Sequence, residues 1–225
     1  MSFHDELAAA TERERGAFLA VPVVQRALRE GVDRATYLLF LEQAYHHVKH
    51  TCRLLALALA HCADRDARYM AALLEYLEEE KGHEAWILDD IAALGGDAAS
   101  VAAGEGAVPT RAMVAYVRDA IRLESPYAML GMVHVLEGLS AQLALTAARR
   151  LQASVGAEGG VGFSYLGSHG ALDREHVAFF ERLVDGIEGE AERNAIVRTA
   201  QAVYRLYGDV FREVDALAAE RRHAA

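Results

Sequence analysis

The sequence predicts an all-α protein of seven or eight helices, and three observations support this. Residues that begin or end helices divide the chain into long segments with helical hydrophobic periodicity. No run of alternating apolar and polar residues with the length of a strand lies between turn signals. The sequence also contains no Pro/Ser-rich linker and no obvious repeat, so we expect a single helical domain over residues 1–225.

The helices of the first half are bounded by capping residues and glycines. A polar helix opens the chain at residues 4–18, and Pro22 begins a second helix that ends near Gly31. Asp33 is a good N-cap for a long helix to residue 62. The stretch 64–66 begins another helix, which Gly95-Gly96 ends.

The second half follows the same rules. A Gly/Ala-rich loop at 96–108 precedes a helix that Pro109 opens, and Ser125-Pro126 opens the next. The predicted helices are 109–122, 125–154, 164–185 and 189–221, with a glycine-rich loop at 156–162.

Composition excludes several classes of protein. Hydrophobic residues make up 53% and charged residues 25% of the chain, as in folded globular domains, so intrinsic disorder is excluded. Asp and Glu number 33 against 23 Lys and Arg, a net charge of -10. Because nucleic acids and anionic membranes bind basic surfaces, we expect neither as a partner. A cationic ligand or a metal ion held by carboxylates fits this balance better.

Three further features favour a cytoplasmic protein. Cys52 and Cys62 lie ten residues apart in one predicted helix, about 15 Å, which is too far for a disulfide. The N-terminus is charged and lacks the apolar core of a signal peptide. The apolar run 125–148 includes His134, Glu137 and Gln142, so we interpret it as a buried helix and not as a membrane span.

The segment SHGALDREH holds the sharpest chemical signal. His169, Asp173 and His176 are spaced by four and three residues, which places them on one side of a helix. The same stripe continues as Phe180, Leu183 and Val184, so this side faces the core. Burying three titratable groups together is costly without a partner such as a metal ion.

Glu137 is a second signal, because it is the only charged residue between Glu124 and Arg149. A carboxylate in an apolar helix must be paired or must coordinate an ion. The alternative is pairing with a buried Arg or a place at the edge of the domain. His134, one turn earlier, is either a further ligand or a hydrogen-bonded core histidine.

Glu80 and His83 form a Glu-x-x-His pair, the arrangement that helical di-iron carboxylate sites use. They lie on one stripe with Leu73, Tyr76 and Ile87. Glu79, on the neighbouring face, and Glu42, on the helix that also carries His46, His47 and His50, are alternative first carboxylates.

These residues together favour iron or manganese over structural zinc, because the ligands are nitrogen and oxygen atoms without cysteine. Three histidines and three carboxylates are enough to hold two metal ions with positions open to dioxygen. We expect a small substrate with an apolar part, and His50 or Arg53 is a candidate partner for a substrate carboxylate. The sequence contains no nucleophile elbow, phosphate loop or dinucleotide fingerprint.

At these residues the chain resembles the heme-oxygenase-like di-metal oxidases, which share a helical fold with thiaminase II and pyrroloquinoline quinone synthase. The matches are His83, Glu137 and the His169, Asp173, His176 motif, and the resemblance covers about residues 33–185. Tyr37, Gln43 and Tyr45 resemble the second helix of the wider fold. In several members the first Glu lies seven residues before the His, where this chain has Tyr76; Glu80 has the close spacing of other members.

The resemblance implies an oxidase that activates dioxygen at two ferrous ions, the second of them labile, to oxidise a C–C, C–H or N–H bond of a small organic molecule. It implies Glu80, His83, Glu137, His169, Asp173 and His176 as the metal ligands. The protein is expected to act on a small molecule and O2, without nucleic acid or membrane, and a homodimer is a further expectation.

Three alternatives remain open at this point. A ferritin-like di-iron protein would use Glu42, Glu80 with His83, Glu137, and Asp173 with His176, but it would leave His169 unexplained. A metal-free enzyme of the thiaminase II or quinone synthase kind would share the fold. The third alternative is a helical binding or regulatory protein without catalysis.

Overall fold

The protein is helical throughout in a computed structural model that describes residues 1–156 and 160–224, with the side chains of 168–176 and 224 outside the description. No strand occurs in these ranges, which confirms the all-α prediction. The α-helices are α1 Phe3–Leu19, α2 Pro22–Arg29, α3 Arg34–Val48, α4 Thr51–His61, α5 Ala67–Glu80, α6 His83–Ala93, α7 Ala98–Ala103, α8 Val108–Leu123, α9 Ala128–Val155, α10 Ser164–Asp185 and α11 Glu190–Ala224. A 3-10 turn at Asp64–Asp66 precedes α5.

Three of the predicted helix starts are confirmed by the capping geometry, whereas the helix predicted to open at Ser125-Pro126 begins at Ala128. Pro22 is the first residue of α2, and Pro109 lies in the first turn of α8, where a missing N–H costs no hydrogen bond. The Asp33 carboxylate accepts a hydrogen bond from the Thr36 N–H at 2.8 Å and caps α3.

Two predicted helices are each divided in the structure, and the predicted loop 96–108 contains the short helix α7, which the Asp97 carboxylate caps by accepting from the Ser100 N–H; the helices therefore outnumber the seven or eight expected. The segment 33–62 breaks after Val48, where the His50 N–H donates to the His47 carbonyl, three residues back instead of four. The segment from 64 to 95 breaks at Gly82, whose φ of 91° lies in the left-handed region. The Glu80–His83 pair therefore spans a break between α5 and α6 and does not lie within one helix.

Helix α9 lies at the centre and packs against α8, α10 and α11. Its approach to α11 depends on Gly131, because a Cβ there would lie 2.6 Å from the Ile196 carbonyl oxygen and 2.8 Å from the Ala200 nitrogen. Helix α10 also packs against α6. Of the helices that carry the predicted ligands, α10 is thus a neighbour of both α6 and α9.

Helix α9 is also long and apolar enough to cross a membrane by length and composition, with a mean hydropathy of 1.4 in its most apolar window. Half of that window is buried in the protein. A buried core helix passes the same test, and the packing of α9 against α10 and α11 agrees with the prediction of a buried helix.

Candidate metal centre

Glu80 and His83 contact each other across the break between α5 and α6. The Glu80 Oε2 lies 3.4 Å from the His83 Nδ1, and the side chains are 15% and 6% exposed. The stripe that continues through Ile87 explains the burial of His83, because it faces the core. The turn at Gly82 keeps the pair together where a continuous helix was expected.

Glu137, on α9, lines the same internal cavity as Glu80. Its Oε2 is buried, and both Glu137 and Glu80 line one cavity of about 190 Å³. The carboxylate comes from α9, whose residues around it, Leu136 and Leu139, are apolar. The structure therefore brings two of the predicted carboxylates to one cavity, with His83 against one of them.

Tyr76 stands beside both carboxylates. It is 1% exposed and lines the cavity one turn before Glu80. Burial raises the pKa of its hydroxyl, and the nearby Glu137 and Glu79 carboxylates raise it further. In the described part of the chain the hydroxyl has no hydrogen-bond partner. A neutral buried donor of this kind needs an acceptor that is absent from the described residues.

His169, Asp173 and His176 belong to α10, but their side chains lie outside the described residues. A side chain of α6 binds the first residues of α10. The Asp90 carboxylate accepts hydrogen bonds from the Ser164 N–H at 2.9 Å, the Ser164 hydroxyl at 2.8 Å and the Tyr165 N–H at 2.9 Å. Asp90 is 3% exposed and lies two turns after His83 on α6. Helix α6 therefore carries one predicted ligand and also holds the start of α10, the helix with three other predicted ligands.

The alternative first carboxylates lie elsewhere. Glu42 is half-buried, with its Oε2 3.8 Å from a guanidinium nitrogen of Arg221, and it does not line the cavity. Burial raises the pKa of Glu42. Glu79 is half-buried and does not line the cavity either.

His134 does not face the cavity. Its Nε2 lies 3.3 Å from the Thr11 hydroxyl, and its ring stacks on Phe180 at 5.9 Å between centroids. Burial, together with the charges of His4 and Arg15, lowers the pKa of His134 to about 4. This is the hydrogen-bonded core histidine and not a further ligand.

The histidines of α3 separate into two groups. His47 is buried, lines the cavity and meets the Tyr207 ring edge-on at 5.6 Å between centroids. His46 and His50 do not line it, and neither does Arg53. His50 and Arg53 flank Thr51, which does line the cavity, so their role toward a substrate carboxylate stays a prediction.

The cysteines also lie outside the cavity wall. Burial raises the pKa of Cys52, with Glu80 and Glu84 adding to the effect, and burial beside Asp66 raises the pKa of Cys62 to about 11. The Cys62 thiol donates to the Ala58 carbonyl at 3.3 Å. A raised pKa disfavours the thiolate, so neither cysteine has the environment of a nucleophile.

The donor chemistry of the cavity fits iron. Carboxylate oxygens and an imidazole nitrogen are ligands of non-heme iron. Glu80 and Glu137 line the cavity, whereas His83 contacts Glu80 without lining the cavity itself. The Tyr76 hydroxyl is a buried donor without an acceptor among the described residues. The side chains that the structure describes contain no group of three or more His, Cys, Asp or Glu placed to hold a metal ion. Glu80, His83 and Glu137 are among the described side chains and do not form such a group, and the side chains of the other three predicted ligands lie outside the described residues.

Residues 38–208, from α3 to α11, match the family model described as an iron-containing redox enzyme. The chain belongs to this family. No curated protein is a significant match to the chain.

Solved structures share the fold of this family member. A domain of unknown function with a heme oxygenase-like fold from Shewanella denitrificans has a TM-score of 0.88 at 19% identity, with 98% of this chain and 95% of that chain covered. A TenA homologue from Pseudomonas syringae has a TM-score of 0.79 at 10% identity, over 95% and 93% of the two chains. A heme oxygenase from Leptospira interrogans has a TM-score of 0.73 at 16% identity, over 95% and 100%.

At these identities the similarity shows the fold alone. The chain has a heme oxygenase-like all-α fold, as the resemblance implied, and the ferritin-like alternative is excluded because that protein would be a four-helix bundle.

Two parts of the site were missed from the sequence. Asp90 lies next to Asp89 and reads as part of a solvated acidic pair, although it continues the stripe of His83 and Ile87. The role of Tyr207 in covering His47 had no signal in the sequence, because the two residues meet only in the folded protein.

Proposed function

We propose that the protein is a non-heme di-iron oxidase that uses O2 to oxidise a small organic substrate. Two iron ions, the second labile and with manganese as a substitute, would be held by six side chains. These are Glu80, His83, Glu137, His169, Asp173 and His176.

The observation that carries the proposal is that Glu80 and Glu137 line one interior cavity, with the His83 Nδ1 at 3.4 Å from the Glu80 Oε2. The two carboxylates come from helices about sixty residues apart in sequence, and the family is described as iron-containing redox enzymes. The other half of the ligand set is proposed on α10, which packs against both α9 and α6.

When bound, the iron ions would supply electrons to dioxygen and generate an oxidant for a C–C, C–H or N–H bond. The side chains of the protein would bind the iron ions and adjust their surroundings. Glu80 and Glu137 bring negative charge that matches ferrous ions, and His83 adds a nitrogen donor. Tyr76 holds a neutral hydroxyl beside both carboxylates, from which it can donate a hydrogen bond to a ligand oxygen.

The apolar lining of the cavity keeps water away from the proposed iron site. Most residues around the carboxylates are Leu, Val, Met, Phe and Tyr, so the cavity excludes bulk water from a reactive centre. The same lining favours a substrate with an apolar part.

We propose the cytoplasm as the compartment, with O2 and a small molecule as the partners and a homodimer as the assembly.

Iron content tests this proposal. Protein loaded anaerobically with ferrous iron should bind two equivalents per chain, and Glu137→Ala and His176→Ala should each lower that number. Glu42→Ala is the matched control, because Glu42 is also a half-buried carboxylate but lies outside the cavity. On admission of oxygen, the loaded protein should consume O2 faster than free ferrous iron.

Two results would contradict the proposal. The first is an iron content that stays the same in Glu137→Ala and His176→Ala. The second is two bound ferrous ions that react with oxygen no faster than free iron does.

A further inference from the structure

Four basic side chains lie together where α3, α4 and α8 meet. Lys49 and His50 form the break between α3 and α4, and Arg53 lies in the first turn of α4. Arg118 belongs to α8, which packs against both α3 and α4. Arg53 and Arg118 are exposed, whereas Lys49 and His50 are half-buried. These four residues form a basic patch on a chain whose net charge is -10.

The electrostatics of His50 show that the four residues are close to one another. Burial lowers the pKa of His50, and the positive charges of Lys49, Arg53 and Arg118 lower it further. In the described part of the chain, no carboxylate is among the groups that shift this pKa. His50 is therefore neutral at pH 7, and the charge of the basic patch comes from the other three residues.

These three cations are not neutralised by ion pairs. Among the side chains that the structure describes, no Asp or Glu forms an ion pair with Lys49, Arg53 or Arg118. The Lys49 Nζ donates to the His46 Nδ1 at 3.0 Å. Burial and the charge of Lys49 lower the pKa of His46 to about 4, so this partner is neutral and leaves the charge of Lys49 in place.

The carboxylates nearest in sequence do not cancel this charge. Glu105 binds Arg111 at 3.0 Å and so already has a cation. Asp119 is exposed next to Arg118 in the sequence and forms no ion pair with it. The three cations of the basic patch against Asp119 leave a net charge of +2 in this region.

The basic patch lies on the outer side of the wall that encloses the predicted carboxylate ligands. Val48 and Thr51, on either side of the break, line the cavity that Glu80 and Glu137 also line. Cys52, in the first turn of α4, lies close enough to Glu80 for this carboxylate to add to the raised pKa of its thiol. A helix with its side chains is about 10 Å across, so about this distance separates the basic patch from the cavity.

Electrons can cross this wall, whereas a substrate cannot. Val48 is 8% exposed, and Leu54 and Leu55 of α4 are 3% and 1% exposed, so packed side chains close the wall beneath the basic patch. The cavity shares Val32 and Thr36 with a surface pocket at the opposite end of α3. A partner on the basic patch is therefore placed to exchange electrons with the site and not to deliver a substrate to it.

We propose that the basic patch is the docking surface for an acidic one-electron carrier protein, which reduces the iron site through the wall formed by α3 and α4. This rests on the proposed function, because an oxidase whose ferrous ions have become ferric needs electrons for the next turnover. Two reduced carriers, docking in succession, each lose one electron, and two ferric ions become ferrous. The step transfers electrons alone, and no bond forms or breaks.

Charge complementarity identifies the partner as acidic. At physiological ionic strength the Debye length is about 8 Å, so the distant carboxylates that make the chain acidic are screened, while the cations of the basic patch act directly on a docked surface. The rest of the acidic surface does not attract such a partner. The charge of the basic patch therefore determines where the carrier docks and in which orientation.

Binding is measured first, with the metal-free protein and an oxidised plant-type ferredoxin, a small acidic iron–sulfur protein, as the probe. Calorimetry at low ionic strength should show one ferredoxin bound per chain, and added salt should weaken binding because exposed charges are screened. Arg53→Glu and Arg118→Glu should each weaken binding about ten-fold. Both residues are exposed, so we expect the variants to fold.

Arg34→Glu is the matched control for these charge reversals. Arg34 is also an exposed arginine, and it lies at the start of α3, about 20 Å along the helix from Lys49. The substitution changes the net charge by the same amount as the other two and should leave binding unchanged. An equal loss of binding in Arg34→Glu would show that total charge controls binding, and it would overturn the proposal.

Electron transfer is measured second, by stopped-flow absorbance with ferric-loaded protein and photoreduced ferredoxin. At low ferredoxin concentration the rate of iron reduction should fall about ten-fold in Arg53→Glu and in Arg118→Glu. Reduction by hydroquinone, a small uncharged reductant, should proceed at the same rate in all variants because it does not need the basic patch.

The proposal is overturned if ferredoxin does not bind, or if both reversals in the basic patch leave its binding unchanged. It is also overturned if bound ferredoxin fails to reduce iron that hydroquinone reduces. Anionic phospholipid vesicles and RNA are tested in the same way, and tighter binding of either through Arg53 and Arg118 would assign the basic patch to a membrane or a nucleic acid instead. Ferredoxin binding at the basic patch of a protein that takes up no iron would support the docking surface and contradict only the proposed function.

Discussion

Asp90 and Ser164 join the two helices on which the proposed iron site depends. One oxygen of the buried Asp90 carboxylate accepts both the N–H and the hydroxyl of Ser164, at 2.9 and 2.8 Å. Asp90 is on α6 with His83, and Ser164 is the first residue of α10, which carries His169, Asp173 and His176. The carboxylate satisfies N–H groups that the start of a helix leaves without partners.

Replacing Asp90 should therefore damage both stability and iron binding. Asp90→Ala removes the carboxylate that accepts from two backbone N–H groups and one hydroxyl, and we expect a loss of about 2–3 kcal/mol in the free energy of unfolding. Asp90→Asn keeps an acceptor and should lose less. Asp89→Asn, at the exposed neighbouring position, is the control. Urea unfolding and iron content measure the two effects, and a stable Asp90→Ala variant with full iron content would refute the role.

Helix starts could be predicted from this sequence because they are local. Pro22, Asp33 and Pro109 each act through one turn of backbone, and the structure places each at the start of a helix. The breaks inside the two long predicted helices were not foreseen. A single Gly82 is tolerated in many helices, and no proline marks the break after Val48.

The site could be predicted only in part, for the same reason. The sequence shows the core-facing stripe of Glu80 and His83 and the isolated charge of Glu137. In the structure Glu80 and Glu137 line one cavity, and His83 contacts Glu80. The cavity could not be predicted, because its walls combine residues of α2, α9 and α11 that meet only after folding. Asp90 was overlooked although it continues a predicted core-facing stripe.

His134 should make stability depend on pH. Its pKa is 6.5 when unperturbed and about 4 in the folded protein, because burial disfavours the charged ring. Between these values the unfolded chain binds the extra proton, so stability is full above pH 6.5 and falls as the pH drops toward 4, by about 3 kcal/mol in total. Unfolding measured across this range should show the slope, and His134→Gln should flatten it.

Glu14 provides the control for that experiment. It is 3% exposed, and its bonds to Arg205 and Arg13 lower its pKa from 4.5 to about 2. A lowered carboxyl pKa costs stability only as the pH falls from 4.5 toward 2. Glu14→Gln should therefore leave the slope above pH 4.5 intact. An unchanged slope in His134→Gln would show that other groups cause it.

Trp86 offers a direct signal of metal binding. It is the single tryptophan of the chain, and its ring stacks on the His83 ring at 4.3 Å between centroids. Ferrous iron bound at His83 would lie next to this fluorophore, so anaerobic iron titration should quench the emission with the stoichiometry of the site that contains His83. His83→Gln should abolish the quenching. Emission that does not respond to iron in the unsubstituted protein would place the metal away from His83.

The identity of the first carboxylate gives the sharpest test of how the site is built. Glu80 lines the cavity and contacts His83, whereas Glu79 is a half-buried neighbour outside the cavity and Glu42 lies beside Arg221. Glu80→Ala should therefore weaken ferrous binding by more than about ten-fold, and Glu79→Ala and Glu42→Ala should change it little. Anaerobic titration followed by Trp86 emission measures all three on one scale. If Glu79→Ala is the damaging substitution, the helix face is misassigned by one residue. If only Glu42→Ala is damaging, the first ligand comes from α3, and the contact across Gly82 has no part in holding iron.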